Sequence, residues 1–238
     1  MSGTNKWTPL GPDCIIDGQM DEGGGRAPVS GRVTSIVLDG GTVYVGTAGG
    51  GVWVSDDLGV KWTPLDDKQA SLAVGAMVLD PVAKRLYIGT GEGNSGGRMQ
   101  HGQGLLIYDT QNKVFKPRVT AIPSPVAGDP TVVTRYKMLR TSAMLLEPAT
   151  PGNPQRLWMG TTNGLFYSID AGQNWLTSSL NTAANQIVSS LALVQDAGGQ
   201  QVLAAWWGTN DTYDNGAGGT VTVRYNGGVF RKKADQTF

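Results

Sequence analysis

One stretch of the chain contains a complete unit of its fold, residues 33–65, which read VTSIVLDGGTVYVGTAGGGVWVSDDLGVKWTPL. Three short apolar runs, VTSIVLD, TVYVGT and VWVS, are separated by glycine-rich turns, and the segment WTPL follows the polar loop SDDLGVK. Short apolar runs between glycine-rich turns predict β-strands that are joined by hairpins. The stretch therefore predicts a small antiparallel sheet of four strands.

The same order of segments recurs along the chain. An aromatic residue opens a similar segment five times, at Trp7, Trp62, Phe115, Trp175 and Phe230. An apolar strand leads into a Gly-Thr pair four times, at Gly46, Gly89, Gly160 and Gly208. Four strands in each unit of roughly 50 residues predict the blades of a β-propeller. The alternative, a β-sandwich with incidental spacing, does not explain why two markers recur in one order.

The repeats divide a single propeller domain into four blades. These blades cover residues 31–66, 71–118, 138–180 and 186–234, and residues 119–137 form an excursion between two of them. Each of the four blades has an aromatic segment of its own, so the fifth segment, which begins at Trp7, belongs to none of them. Residues 7–10 therefore predict an extra outer strand. Propellers have up to eight blades, so this strand indicates a larger propeller, a ring completed by another chain or self-association. A plug or an added edge strand is the alternative.

Two loops between third and fourth strands share the pattern S/T-x-D-x-G-x-x-W. Its residues are Ser55, Asp57, Gly59 and Trp62 in the first blade, and Ser168, Asp170, Gly172 and Trp175 in the third. We expect the aspartate to accept hydrogen bonds from turn N–H groups, the glycine to take a positive φ and the tryptophan to pack between blades.

This pattern resembles the Asp box, or BNR repeat, of the sialidase-like β-propellers, including sortilin-type and xyloglucanase-type propellers. The resemblance implies an all-β fold of four-stranded antiparallel blades. It also implies that the Asp boxes are structural and lie away from any active site. Function is not implied, because one fold hosts many functions.

Composition excludes several classes of protein. The 238 residues carry 19 basic and 19 acidic side chains, so electrostatic attraction to nucleic acid or to an anionic membrane is not expected. A single cysteine, Cys14, and a single histidine, His101, exclude an internal disulfide, a thiolate cage and a multi-histidine metal site.

Neither a signal peptide nor an apolar run long enough to cross a membrane is visible in the sequence. We therefore expect a soluble protein. Charged residues are only 16% of the chain and glycine is abundant, which favours an extracellular, virion-associated or appendage-associated protein over a cytosolic one.

Candidate catalytic residues are few. Resemblance to the xyloglucanases implies an aspartate just after the second strand of the first blade, where this chain has Ala48. Glu92, Asp211 and Asp214 are the carboxylates that could form the pair that glycoside hydrolysis needs. The Arg-Ile-Pro element that resemblance to the sialidases would imply is missing. We therefore expect no catalysis, with a glycoside hydrolase as the alternative.

Candidate ligand-binding residues lie in the second and fourth blades. Residues 91–104 form an insertion that carries Arg98 and His101, for which a flexible glycine loop is the alternative. Trp206 and Trp207 are neighbours on a strand and so are expected to face opposite sides, which would leave one of them to stack on a sugar. We expect a glycan or a protein to bind through these loops.

The stretch NDTYDNG, residues 210–216, offers several oxygen donors around Tyr213. These donors could hold Ca²⁺, but they lack the alternating spacing of a calcium loop. A polar hairpin tip is the preferred interpretation, and no cofactor is expected.

Overall fold

A computed structural model describes residues 31–65, 67–93, 100–120, 139–178, 187–196, 199–207, 210–214, 220–224 and 228–231. Seventeen strands occur among these residues, and the described residues contain no helix. The strands form the antiparallel sheets of a four-bladed β-propeller, which confirms the predicted fold class. In the described ranges, no helix is long and apolar enough to cross a membrane.

The first three blades are four-stranded meanders. The first contains β1 (Val33–Asp39), β2 (Thr42–Thr47), β3 (Val52–Ser55) and β4 (Thr63–Pro64). The second contains β5 (Val74–Asp80), β6 (Arg85–Thr90), β7 (Leu105–Asp109) and β8 (Val114–Phe115). The third contains β9 (Thr141–Glu147), β10 (Arg156–Thr161), β11 (Gly164–Ser168) and β12 (Leu176–Thr177).

The fourth blade departs from the sequence prediction. Its sheet contains β13 (Ile187–Asp196), β14 (Gly199–Trp207) and β17 (Gly228–Arg231), in that order. The strands β15 (Asn210–Asp214) and β16 (Thr220–Arg224) pair with each other in a separate hairpin between β14 and β17. Phe230 pairs with Ala204 of β14, so the prediction that it opens a fourth strand is wrong. Because β16 also has a strand-like sequence, the sequence alone does not show that β17 is the third strand.

The Gly-Thr marker of the fourth blade is also out of register. The inner strand, which is the first strand of each blade, contains a β-bulge. In the first three blades, the first paired residue after this bulge lies opposite Gly46, Gly89 and Gly160, respectively. The equivalent residue in the fourth blade is Ala205, three positions before Gly208. Gly208, the extra strand 7–10 and most of the excursion 119–137 lie outside the described residues.

Adjacent blades pack face to face through apolar side chains. Neighbouring inner strands are in contact from β1 to β5, from β5 to β9 and from β9 to β13. The three clusters between the blades include Tyr44, Met77 and Leu86 at the first junction, Tyr87, Phe166 and Trp175 at the second, and Trp158, Val188 and Val202 at the third. The second and third blades therefore bury their two faces against different neighbours.

The glycine of each Gly-Thr pair in the first three blades lets two blades approach closely. A Cβ on Gly46 would lie 2.6 Å from Val74 Cγ1, and a Cβ on Gly160 would lie 2.6 Å from Val188 Cγ1. Both valines belong to the inner strand of the next blade. Only a residue without a side chain fits at this distance, which explains why the glycine recurs.

The threonine of each of these three pairs holds the following loop. Thr161 Oγ1 donates a hydrogen bond to the carbonyl oxygen of Gly164 at 3.0 Å and accepts one from the backbone N–H of Asn163 at 3.0 Å. Thr47 makes the same kind of bond to the carbonyl oxygen of Gly51 at 2.9 Å. The hydroxyl thus connects the end of the second strand to the start of the third.

We expect Thr161→Val to lower the free energy of unfolding by about 1–3 kcal/mol. Valine keeps the shape of this fully buried side chain but leaves two backbone groups without their partner. Equilibrium unfolding in urea measures the change. Thr63→Val is the control, because Thr63 is exposed and its hydroxyl makes only a 3.4 Å bond to Val54. Equal losses in the two variants would contradict this role for the threonine.

Candidate binding site

One end of the propeller carries the loops that differ most between blades. In an antiparallel meander, the first and third strands begin at the same end of the sheet at which the second strand ends. We call this end of the propeller the loop end; its described residues include Arg32, 48–51, 91–93, 100–104, 140 and 162–163. The backbone N–H of Ala48 donates to the carbonyl oxygen of Arg32 at 3.0 Å, which joins two of these loops.

An ion pair links the first and second blades at the loop end. Arg32 Nη2 lies 2.5 Å from Glu92 Oε2, and Glu92 is only 1% exposed. The Arg32 side chain is 49% exposed, so it also presents donors to solvent. A buried carboxylate that is bound by a guanidinium is suited to positioning that guanidinium. Glu92 therefore holds the Arg32 guanidinium at the junction of the first and second blades.

Both ends of the insertion 91–104 are attached to the propeller. Thr90 Oγ1 donates to the carbonyl oxygen of Gly104 at 2.5 Å, and the N–H of Gly102 donates to the carbonyl oxygen of Leu139 at 2.8 Å. The N–H of Glu92 donates to the carbonyl oxygen of Gln100 at 2.9 Å. His101 is therefore exposed on a held backbone, whereas Arg98 lies outside the described residues.

Polar groups of the third blade face the same insertion. A Cβ on Gly93 would lie 3.0 Å from Thr162 Cγ2 and 3.5 Å from Arg140 Cβ, so the two loops are in contact. The Arg140 Nε atom is buried and has no hydrogen-bond partner among the described residues.

The inserted hairpin of the fourth blade also starts at the loop end. It follows β14, which runs in the same direction as β2, β6 and β10. Asp211, Tyr213 and Asp214 lie in β15, and Trp206 and Trp207 are the last two residues of β14. The sequence prediction missed that this hairpin and the insertion 91–104 occupy the same position, between the second and third strands of a blade. The opposite orientation of the two tryptophans stays a prediction.

The first turn with the S/T-x-D-x-G-x-x-W pattern lies at the opposite end of the propeller, after β3. Ser55 Oγ donates to Asp57 Oδ1 at 2.7 Å, and the N–H of Gly59 donates to Ser55 Oγ at 2.8 Å. The N–H of Lys61 donates to Asp57 Oδ1 at 2.8 Å. Gly59 has a φ of 96°, and Leu58 before it also has a positive φ, of 56°. The motif thus forms a closed polar turn.

The turn after β11 has the same geometry. Ser168 Oγ donates to Asp170 Oδ1 at 2.8 Å, and the N–H of Gly172, whose φ is 84°, donates to Ser168 Oγ at 2.9 Å. Trp175 is 4% exposed in the cluster between the second and third blades, whereas Trp62 is half-buried. Both turns therefore lie at the end of the propeller opposite the loop end.

We expect stability to fall at acid pH because of these turns. Burial alone would raise the pKa of Asp170, but hydrogen bonds from Asn174 and Ser168 outweigh burial and lower this pKa. A carboxyl group whose pKa is lowered by folding stabilises the protein above its unfolded pKa of about 3.9, and this stabilisation is lost as the pH falls through the folded pKa. In urea unfolding between about pH 5 and pH 2, the free energy of unfolding should fall less steeply with decreasing pH for Asp170→Asn than for the wild type. An equal pH dependence of the unfolding free energy in the variant and the wild type would contradict this role for Asp170.

Metal ligands do not cluster in the part of the chain that the structure describes. No group of three His, Cys, Asp or Glu residues lies close enough together there to hold an ion.

Comparison with known proteins shows the class of fold. No protein-family model and no curated protein matches the chain. The GH74 xyloglucanase from Xanthomonas campestris is similar with a TM-score of 0.51 and 18% identity, over 73% of this chain and 28% of that one. The extracellular domain of a hybrid two-component system from B. thetaiotaomicron is similar with a TM-score of 0.51 and 20% identity, over 82% of this chain and 22% of that one.

The chain thus spans about a quarter of the length of either similar structure, 28% and 22% respectively. At these identities the similarity shows a shared fold, the β-propeller, and nothing about activity.

Proposed function

We propose that this chain is a non-catalytic recognition propeller that binds a carbohydrate at the loop end. The observation that carries the proposal is the position of its two insertions. Residues 91–104 and the β15–β16 hairpin both lie between second and third strands, at the end where Arg32 and Arg140 lie. Variable loops that are held by a rigid scaffold are the usual place for ligand binding.

The chemistry of the loop end suits a ligand that is rich in hydroxyl groups. Guanidinium groups of Arg32 and Arg140 and the amide of Gln100 are donors for sugar oxygens. Aromatic residues on the fourth blade, Tyr213 and one of the two adjacent tryptophans, would supply flat apolar faces for sugar rings. The net charge of zero fits a neutral ligand. The fold that this chain shares with a xyloglucanase agrees with a carbohydrate ligand.

The positions of the described carboxylates support binding without cleavage. Glycoside hydrolysis needs two carboxyl groups about 5–10 Å apart. Glu92 is buried beneath Arg32, and Asp39, Asp80 and Glu147 end their inner strands at the opposite end of the propeller. A glycoside hydrolase is the second candidate, which is favoured by the position of Asp211 and Asp214 in the hairpin at the loop end. An extracellular or appendage location remains part of the proposal.

We expect His101→Ala and Tyr213→Ala each to weaken carbohydrate binding about tenfold, or by about 1.4 kcal/mol. A glycan array identifies the ligand, and calorimetric titration of that ligand measures the affinity. Val82→Ala is the control, because Val82 is 89% exposed in the turn between β5 and β6, at the opposite end. Equal weakening in the control, or binding that survives both loop-end substitutions, would contradict the proposed site.

A further inference from the structure

One charged pair at the loop end joins two blades and is also partly open to solvent. Arg32 lies just before β1 of the first blade, and Glu92 follows β6 of the second blade. Their side chains meet at 2.5 Å, between Nη2 and Oε2, with the guanidinium 49% exposed and the carboxylate 1% exposed. A guanidinium has five N–H donors, so the exposed part of Arg32 can donate to a ligand while Nη2 contacts Glu92.

A side-chain amide lies next to this pair. Gln100 pairs with Glu92 across the base of the insertion 91–104, where the N–H of Glu92 donates to the carbonyl oxygen of Gln100 at 2.9 Å. The Gln100 side chain reaches the first blade, because a Cβ on Gly49 would lie 3.5 Å from its Nε2 atom. Both Gly49 and Gln100 are exposed. Arg32 and Gln100 thus present N–H donors at one surface, which the first two blades form together.

The charge of Glu92 decides which acceptors this surface favours. Its carboxylate is within hydrogen-bond distance of the guanidinium, so it balances the positive charge of Arg32. Burial keeps solvent from screening this carboxylate. An anionic group that accepted hydrogen bonds from the exposed part of Arg32 would lie close to a second negative charge, and like charges that are brought together oppose binding. A neutral hydroxyl accepts from the same donors without this repulsion.

We propose that Glu92 is a specificity-determining residue, which makes the loop end select neutral sugars and reject acidic ones such as uronic acids. The inference rests on the proposed function, because it names the class of carbohydrate that the same site takes. Arg32 and Gln100 donate to sugar hydroxyls, while Glu92 positions Arg32 and repels a carboxylate on the ligand. Arg140, across the insertion, is half-buried, whereas Arg32 is exposed. The guanidinium that is more open to a ligand is therefore the one whose charge is balanced.

Paired glycans test this selectivity. Each neutral oligosaccharide of an array is paired with a copy in which one C6 hydroxymethyl group is oxidised to a carboxylate. Calorimetric titration of the bound pairs then compares the wild type with Glu92→Gln, which keeps the shape of the side chain but removes its charge. Asp56→Asn is the matched control, because it removes the same charge from an exposed residue at the opposite end of the propeller.

We expect the wild type to bind the neutral member of a pair at least about tenfold more tightly than the acidic member. In Glu92→Gln this ratio should fall to about one, through tighter binding of the acidic member, and the gain should shrink as salt is added. Asp56→Asn should keep the wild-type ratio.

Two results would overturn the inference while leaving the proposed function in place. A wild type that prefers the acidic members would do so without any variant, even if Glu92→Gln does not fold. A ratio that is unchanged in Glu92→Gln, including equal weakening of both members, would show that Glu92 has a structural role alone. Binding to no glycan on the array would overturn the proposed function and this inference with it.

Discussion

Gly75→Ala is expected to leave little folded protein, with a loss of more than about 4 kcal/mol in the free energy of unfolding. A Cβ at this position would lie 1.8 Å from the carbonyl oxygen of Thr141 and 2.3 Å from that of Gly91. Both obstacles are backbone atoms, one on the inner strand of the third blade and one at the start of the insertion 91–104. Relief of the overlap would separate the two blades, because a backbone cannot rotate away as a side chain can.

Gly41→Ala is the matched control for this prediction. No atom lies within 4 Å of a Cβ built on Gly41, and its φ is outside the left-handed region. We expect its unfolding free energy to stay within about 0.5 kcal/mol of the wild type. Circular dichroism and urea unfolding compare the two variants. A Gly75→Ala protein that unfolds at the same urea concentration as Gly41→Ala would show that the second and third blades are not this close.

Trp158→Ala is expected to cost about 3–5 kcal/mol, the range for removal of a large aromatic side chain from a core. Trp158 is 1% exposed and contacts Val188 and Val202 at the junction of the third and fourth blades. Its Nε1–H also donates to Glu147 Oε2 at 2.7 Å. Truncation therefore opens a cavity between two blades and removes a hydrogen bond from a buried carboxylate.

Trp158→Phe separates these two contributions. Phenylalanine keeps an aromatic ring in the cluster but cannot donate to Glu147, so we expect a loss of about 1–3 kcal/mol, smaller than that of the alanine variant. Urea unfolding of both variants gives the comparison. Equal losses, or a loss below about 1 kcal/mol for Trp158→Ala, would contradict the packing of the fourth blade on the third.

The repeated blades could be predicted from the sequence because their signals are local. The Gly-Thr pair recurs since its glycine contacts the next blade and its threonine holds the next loop, so the same residues meet the same needs in each of the first three blades. The turns with the S/T-x-D-x-G-x-x-W pattern are equally local, since Ser55, Asp57 and Gly59 bond to one another within five residues. Positive φ at Leu58 and Ala171 was not predicted, because neither residue type favours that region.

The strand order and register of the fourth blade could not be predicted in this way. Both β16 and β17 have strand-like sequences, and only long-range pairing decides which of them joins β14. Ala205 replaces the marker glycine there, so the nearest Gly-Thr pair in the sequence, at Gly208, gave a register that is wrong by three residues.

The environment of Glu92 was equally hidden from the sequence. Its partner Arg32 lies 60 positions away in the previous blade, and no local pattern links the two residues. A glutamate in a glycine-rich loop therefore looked like a catalytic candidate. The contact with Arg32 and the burial of the carboxylate become visible only when adjacent blades are packed together.

The central claim is that the loop end binds a carbohydrate without cleaving it. The most direct measurement incubates the wild-type protein with the carbohydrate identified by the glycan array and follows its chain length by mass spectrometry. The account predicts that the bound carbohydrate is recovered intact after prolonged incubation. Shorter products that disappear in Asp211→Asn or Asp214→Asn would contradict the account and identify the protein as a glycoside hydrolase.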